Sequence, residues 1–225
     1  KSQNILIMLA QSHASLKLRE ANFFMQCALM HKLLQKVGPF DPDITKILCA
    51  LMFLSHKYEP TEGKVQQCAD MIHKLFGANT QVTVDEIIDY EELVFELLDY
   101  SLAVVTPYDF VPLFIQCAGL SPQQANIAMF LCSLVAINVE FQNYSPCKLA
   151  AATVMLTLQK NNQNWNPSLK FWSGLSPHQF EDERQAVVQL WHDNSMATRN
   201  GRPSFVTLKY KDPRRYQVSL EEPVT

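Results

Sequence analysis

The chain has 225 residues, 48% of them hydrophobic and 18% charged, with a formal net charge of −3. That apolar content at balanced charge excludes a disordered chain, and the length allows one large domain or two of roughly 100 residues, each with its own core. Only 6 glycines argue against a many-turned sandwich or barrel and against phosphate-cradling loops, and the small negative charge gives no prior for a nucleic-acid surface.

The chain opens on Lys1-Ser2-Gln3-Asn4, with no secretory pattern. Apolar periodicity and its punctuation then predict ten helices. They run over about 3–15, 19–37, 42–57, 64–76 and 84–99, then about 107–118, 122–140, 146–160, 167–173 and 177–194. The tail, Ala197 to Thr225, reads as turns, one short helix and an extended end. Six starts are marked by a capping residue before proline: Asp41-Pro42, Thr106-Pro107, Ser121-Pro122, Ser145-Pro146, Asn166-Pro167 and Ser176-Pro177. The small side chain accepts an orphan N–H bond, and the proline ring fixes φ at a position where its missing donor costs little. Gln124 and Gln179 complete capping boxes with Ser121 and Ser176, and Glu86 is placed to do so with Thr83. Ser-Pro and Thr-Pro are also minimal sites for proline-directed kinases; at the buried-looking examples the cap reading is favoured. Gly38, Gly77, Gly119 and Gly174 fall where left-handed residues end helices.

Two segments are apolar nearly all round, which places each at the centre of a bundle. Ile44 to Leu54 is one; Leu149 to Leu158, with the successive alanines Ala150, Ala151 and Ala152, is the other. Each is the third helix of five in its half, about 100 residues apart, a weak internal duplication with Thr106-Pro107 as the natural boundary. The longest nearly unbroken apolar stretch, Ile127 to Val139, would reach about 20 Å as a helix, short of the roughly 30 Å of hydrocarbon in a bilayer. The six cysteines (Cys27, Cys49, Cys68, Cys117, Cys132, Cys147) form no C-x-x-C pair and sit among apolar neighbours. They read as reduced, buried thiols of a nuclear or cytosolic protein.

The motifs of catalysis are missing. No Walker or dinucleotide glycine pattern and no kinase H-R-D or D-F-G is present, and the six histidines make no metal-binding spacing. No metal, cofactor or catalytic residue is expected, and binding is the expected function. Asp89, Glu91, Glu92, Glu96 and Asp99 cluster on one predicted helix, by default a solvated face.

Four stretches in register resemble the cyclin family, and in particular its A/B-type, mitotic members. Ala50-Leu51-Met52-Phe53-Leu54-Ser55-His56-Lys57-Tyr58-Glu59 is similar to the family's apolar third helix ending in Ala/Ser-x-Lys-aromatic-Glu. Tyr90 to Leu102, followed by Thr106-Pro107-Tyr108-Asp109-Phe110, resembles the fifth helix and its sequel. Ser145-Pro146-Cys147-Lys148-Leu149-Ala150-Ala151-Ala152 is similar to the start of the second box's central helix, and Lys209 to Leu220 to the mitotic tail. The resemblance implies an all-α fold of two tandem five-helix cyclin boxes, each with a central apolar helix, over 1–104 and 105–196, with a C-terminal extension (197–225) packing on the first box.

It also implies a partner, a cyclin-dependent protein kinase, which the chain would activate by holding the kinase's regulatory αC helix inward. Lys57 and Glu91 match the polar centre of the family's kinase-binding surface. Leu54, Tyr58, Phe95, Tyr100 and Leu102 match its apolar surroundings, and Glu59 matches the acid after the aromatic. Tyr58 and Tyr100 stand where mitotic cyclins usually carry Phe, which adds two hydroxyls to accommodate. The substrate-docking patch is degenerate: only Ile5, Met8 and Ile44 remain apolar, so recruitment of Arg-x-Leu substrates is doubtful. Two rivals share or mimic the helical pattern. A core like that of transcription factor IIB would need a basic DNA-facing surface, for which only the tail's Arg199, Arg202, Lys209, Lys211, Arg214 and Arg215 offer charge. A cyclin-fold scaffold without kinase activation is the other. A HEAT or armadillo array does not fit, since it stacks units of about 40 residues.

Overall fold

The computed structural model describes residues 2–16, 18–38, 43–58, 68–77 and 80–224. Among them every regular element is helical. In chain order these are α1 (Ser2–Leu16), α2 (Glu20–Val37), α3 (Ile44–Tyr58), α4 (Cys68–Phe76), α5 (Val84–Leu97), α6 (Val111–Ala118), α7 (Pro122–Ala136), α8 (Pro146–Lys160), α9 (Pro167–Ser173), α10 (Glu181–Arg199) and α11 (Phe205–Tyr210). The fold class is all-α, and the chain divides into two compact units, Lys1–Val104 and Val105–Thr225. The Asp41-Pro42 cap and Glu59 lie outside the described residues.

Three expected helices are broken by 3-10 turns. Over 107–118, Pro107–Asp109 forms one such turn and α6 begins only at Val111. Pro112 has no N–H to donate to the carbonyl of Tyr108, so a continuous helix cannot cross it. Over 122–140, α7 stops at Ala136 because Asn138 is extended (φ −103°, ψ 121°), and its Oδ1 accepts from Glu140 N at 3.1 Å to open a new turn, Val139–Asn143. Over 177–194, the turn Pro177–Phe180 comes first, and α10 runs on to Arg199.

The capping boxes of Ser121 with Gln124 and of Ser176 with Gln179 are both formed. Thr83 caps α5 through Glu86 N at 3.2 Å, and the Glu86 carboxylate, which also feels the Thr83 backbone N–H, lies 2.6 Å from Lys46 Nζ. Thr106 has a reciprocal box with Asp109. At Gly119 and Gly174 (φ 66° and 68°) the chain leaves α6 and α9 in the left-handed conformation that glycine adopts without a Cβ penalty.

In the first unit α3 is the central helix, packed by α2, α4 and α5. Its residues Ile47 to Met52 are all buried. One polar bridge ties it to α2: Gln26 Nε2 donates to Ser55 Oγ at 2.7 Å, and Ser55 Oγ donates to Met52 O at 2.9 Å. In the second unit α8 takes the same role, packed by α6, α7 and α10. Its buried threonines return their hydroxyls to the helix, Thr153 Oγ1 to Ala150 O and Thr157 Oγ1 to Thr153 O, both at 2.9 Å. That satisfies the hydroxyls without a partner helix.

Within the second unit the tail is well anchored. Tyr210 is fully buried, with its ring 5.5 Å from that of Phe130 on α7 and its hydroxyl 3.3 Å from Ser133 Oγ. Asn194 Oδ1 accepts from both Ser204 Oγ and Thr207 Oγ1 (2.9 and 3.0 Å), which fixes the start of α11 on α10. The described cysteines are free thiols: Cys27, Cys49 and Cys132 are buried, Cys117 and Cys147 half-buried. No helix is long and apolar enough to cross a membrane among the described residues.

Ala150, Ala151 and Ala152 are each 0% exposed, so α8 is approached closely on several sides. Ala151→Leu is expected to overpack this core and cost about 1–3 kcal/mol, read as a lower thermal midpoint; an unchanged midpoint would show that α8 has room around it.

Candidate functional site

Burial decides which part of the first unit can meet a partner. α3 is interior from Ile47 to Met52, turns half-exposed at Phe53 and Leu54, and delivers Lys57 and Tyr58 to the surface at its last turn. Alongside it runs α5, whose Ile87 and Val94 face the core. The acidic residues of α5 divide on the same rule: Asp89, Glu92 and Glu96 are exposed, as a solvated face requires, whereas Glu91 is only 9% exposed. A carboxylate so placed must be paired. Its partner is Lys57, whose Nζ donates to both Glu91 carboxylate oxygens at 2.8 Å. The ammonium also stands 4.2 Å from the centroid of the Phe53 ring, one helical turn earlier, a cation–π contact. Lys57 keeps about half its side chain in solvent while Glu91 is walled in. The pair is therefore a half-buried charge centre with one open side.

Apolar groups border it. α5 ends at Leu97, two residues earlier than its periodicity predicts, because Asp99 and Tyr100 both adopt left-handed φ (55° and 56°). Tyr100 N donates back to Phe95 O at 2.9 Å and Asp99 N to Glu96 O at 2.8 Å, closing the helix end as a glycine would. The turn folds the Tyr100 ring edge-on against Phe95, 5.5 Å between centroids. Its hydroxyl donates to Glu96 Oε1 at 3.3 Å, so this added hydroxyl has a partner. The neighbouring negative charge of Glu96 pushes the Tyr100 phenol above its ordinary range. Lys36 on α2 pairs with Asp99 at 2.8 Å. Tyr58 and Tyr100 are 58% and 65% exposed, Leu54 and Phe95 half-buried, and Leu102 buried.

A second charge cluster clamps the start of α3 to α5. Lys46 Nζ lies 2.6 Å from Glu86 and 3.3 Å from Asp43, and 5.3 Å from the Tyr90 ring centroid. Hydrogen bonds from Tyr90 and Lys46 hold the Asp43 carboxyl below its ordinary value, and Lys46 does the same to Glu86. The Lys46 ammonium is raised by these bonds, and Tyr90 by its bond to Asp43. Neither this clamp nor Phe53 was singled out by motif. The Phe53–Lys57 spacing of four residues on one helix is the signal that could have found the latter.

The degenerate docking positions fare less well. Ile5 is buried at 7% exposure, and Met8 and Ile44 are half-buried. Ile5 thus serves the core rather than a surface. Four of the tail's six basic residues are engaged within their own unit: Arg214 with Asp212 at 2.7 Å, Arg199 with Glu222, and Lys209 and Arg215 against the Tyr210 ring at 5.5 and 4.7 Å, while Arg202 and Lys211 are exposed. Arg214 holds the Asp212 carboxyl down at about 2. Among the described residues no group of three or more His, Cys, Asp or Glu side chains converges as a metal site.

Residues 105–224 match the family model described as the cyclin C-terminal domain. A G2/mitotic-specific cyclin-B3 of Gallus gallus is 26% identical over 154 residues, 68% of this chain and 34% of that protein. A G2/mitotic-specific cyclin-B1 of Carassius auratus is 22% identical over 213 residues, 94% of this chain and 51% of that protein. The chain spans between about a third and about half the length of the curated relatives it matches. In fold it is similar to a viral cyclin from herpesvirus saimiri, with a TM-score of 0.66 at 18% identity, covering 84% of this chain and 83% of that one.

The Lys46 clamp makes stability depend on pH with a definite sign. Asp43 and Glu86 have folded-state values below their ordinary 3.8 and 4.5, so what they contribute is present above those values and lost as pH falls through the depressed ones. Lys46→Met keeps the aliphatic stem and removes the shared cation. The melting-temperature gap between the native chain and Lys46→Met is expected to be full near neutrality and to close below about pH 4. A gap of constant size down to acid pH would contradict the assignment.

Proposed function

The chain belongs to the cyclin family, and from that premise we propose that it is a non-catalytic regulatory subunit that binds a cyclin-dependent Ser/Thr protein kinase and holds that kinase's αC helix in the active position. Cell-cycle control is the process this role serves. Within this reading, residues 1–104 and 105–196 are the two cyclin boxes and 197–225 the extension; the division at Val104 and Val105 supports that partition.

The observation that carries the reading is the Lys57–Glu91 pair. It joins the last turn of the central helix to the second half of α5, with both carboxylate oxygens at 2.8 Å from the ammonium. Around it stand Leu54, Tyr58, Phe95 and Tyr100, with Leu102 supporting them from below the surface. Such an arrangement suits the backbone of a partner helix: the ammonium donates to carbonyls, the carboxylate accepts from N–H groups, and the rings exclude water from both.

Energetics say why the whole patch is needed. Moving a two-state kinase from about 1:99 to 99:1 takes about 5.5 kcal/mol of differential binding, while an exposed ion pair supplies roughly 0–1 kcal/mol. The ion pair therefore fixes register and orientation, and the apolar rim supplies most of the differential contact. Rigidity matters equally, because a surface that yields to the kinase cannot shift its equilibrium. α3 is well suited to this, since it is anchored in the core from Ile47 to Met52 and again at Ser55 and His56, next to its last residues.

The pair is tested as a pair. Removing Lys57 alone would strand a nearly buried carboxylate and confuse stability with binding. Lys57→Ala with Glu91→Ala removes both charges, so helicity and melting temperature are expected to stay nearly unchanged while co-purification with a cyclin-dependent kinase, and activation of it, are lost. Undiminished activation by the double variant refutes the interface.

A further inference from the structure

Four described helix starts carry Ser-Pro or Thr-Pro, and three of them use the side chain locally. Thr106 is buried, donates to Asp109 Oδ2 at 2.9 Å and forms a capping box with it. Ser121 and Ser176 are held in boxes with Gln124 and Gln179. Ser145 differs in its bonding: like Ser121 it is exposed, but its hydroxyl makes no capping bond to α8 and it belongs to no capping box. It is also the one whose third following residue is a cation: Ser145-Pro146-Cys147-Lys148, against Asp109, Gln124 and Gln179 at the other three.

We propose that Ser145 is a phosphorylation site, the acceptor for a proline-directed serine kinase that selects a basic residue at the third following position. In the transfer, Ser145 Oγ bonds to the γ-phosphorus of ATP, the bond from that phosphorus to the ADP oxygen breaks, and the hydroxyl proton passes to the kinase's base. The backbone leading to the acceptor is already extended, at φ −86°, ψ 152° for Tyr144 and φ −65°, ψ 123° for Ser145, as a peptide lying in a kinase cleft must be. Pro146, Cys147 and Lys148 are half-buried, and the core begins only at Leu149. The N–H groups of Cys147 and Lys148 have no partner within the helix and Pro146 has none to offer, so peeling this first turn gives up the bonds that the carbonyls from Ser145 onward accept, Leu149 N to Ser145 O at 2.9 Å among them, and the contact of Lys148 with Glu183.

The modification would be felt beyond its own residue. Lys148 lies 3.6 Å from Glu183, in the first turn of α10, whose side chain is only 9% exposed. Residues three apart at a helix start face each other, as in a capping box. A phosphate on Ser145, with a charge of about −1.5 to −2, therefore competes for Lys148 and leaves the Glu183 carboxylate short of its cation. One hydroxyl thus controls a contact between α8 and α10 in the second unit, whether or not the first unit binds a kinase.

The test uses the whole chain, ATP and a purified proline-directed kinase already active with its own regulatory subunit, with phosphate located by mass spectrometry. Ser145 is expected to carry most of the phosphate found at Ser-Pro and Thr-Pro positions, and Ser145→Ala to abolish that share. Lys148→Ala is expected to slow incorporation several-fold and Lys148→Arg to restore it, which a merely structural role for Lys148 in pairing Glu183 would not separate from a loss of helicity; circular dichroism of both variants supplies that control. Equal labelling of Ser121 and Ser176, or labelling of a synthetic peptide spanning 139–152 with none of Ser145 in the folded chain, overturns the proposal.

Discussion

The first unit is governed by the requirement that a helix at the centre of a bundle be apolar on every side, and α3 meets it from Ile47 to Met52. That requirement lapses where the helix emerges at its far end, and there the chain places Lys57 and Tyr58. The cation cannot be withdrawn into the core, so it is satisfied laterally by Glu91, a carboxylate that α5 holds almost out of solvent. The ion pair is thus a consequence of packing, set at the point where α3 leaves the core. A binding surface gains from this, since preorganised groups lose little freedom when a partner arrives.

The second unit repeats the central-helix solution with different chemistry. α8 buries three successive alanines and two threonines whose hydroxyls return to the helix backbone, so its neighbours approach closely and it carries no charge into the core. Polar business is displaced to its two ends. At its start are Ser145 and Lys148; at its finish Lys160 meets Glu221 at 3.1 Å and the carbonyl of Glu222 at 2.8 Å, tying the tail to its own unit.

Much of this is legible in sequence because helix ends are chemically marked. Ser121 with Gln124, Ser176 with Gln179, and the glycines at 119 and 174 locate termini by local bonding alone, and local bonding survives in the fold. The breaks at Pro112 and Asn138 are less legible, since each asks whether a continuous apolar period or a single missing or diverted hydrogen bond prevails. The early end of α5 is not legible at all: Asp99 and Tyr100 take a conformation that sequence normally signals with glycine. For the candidate site, a family resemblance picks out Lys57 and Glu91, but only three-dimensional packing shows that Glu91 leaves the solvated acidic face of α5 to pair with Lys57, or that Ile5 is committed to the core. The side chain of Glu86 shows the same limit, because its pairing with Lys46 depends on a helix some forty residues away in the chain.

If the emerging end of α3 and the second half of α5 form one partner-facing surface, as proposed, a bound kinase covers both. Hydrogen exchange of backbone amides, measured with and without an added cyclin-dependent kinase, tests it most directly. New protection is expected, confined in the first unit to residues 54–58 and 91–102. Binding that leaves those amides unchanged while protecting another face, such as the exposed Phe171 and Trp172 of α9, would contradict it.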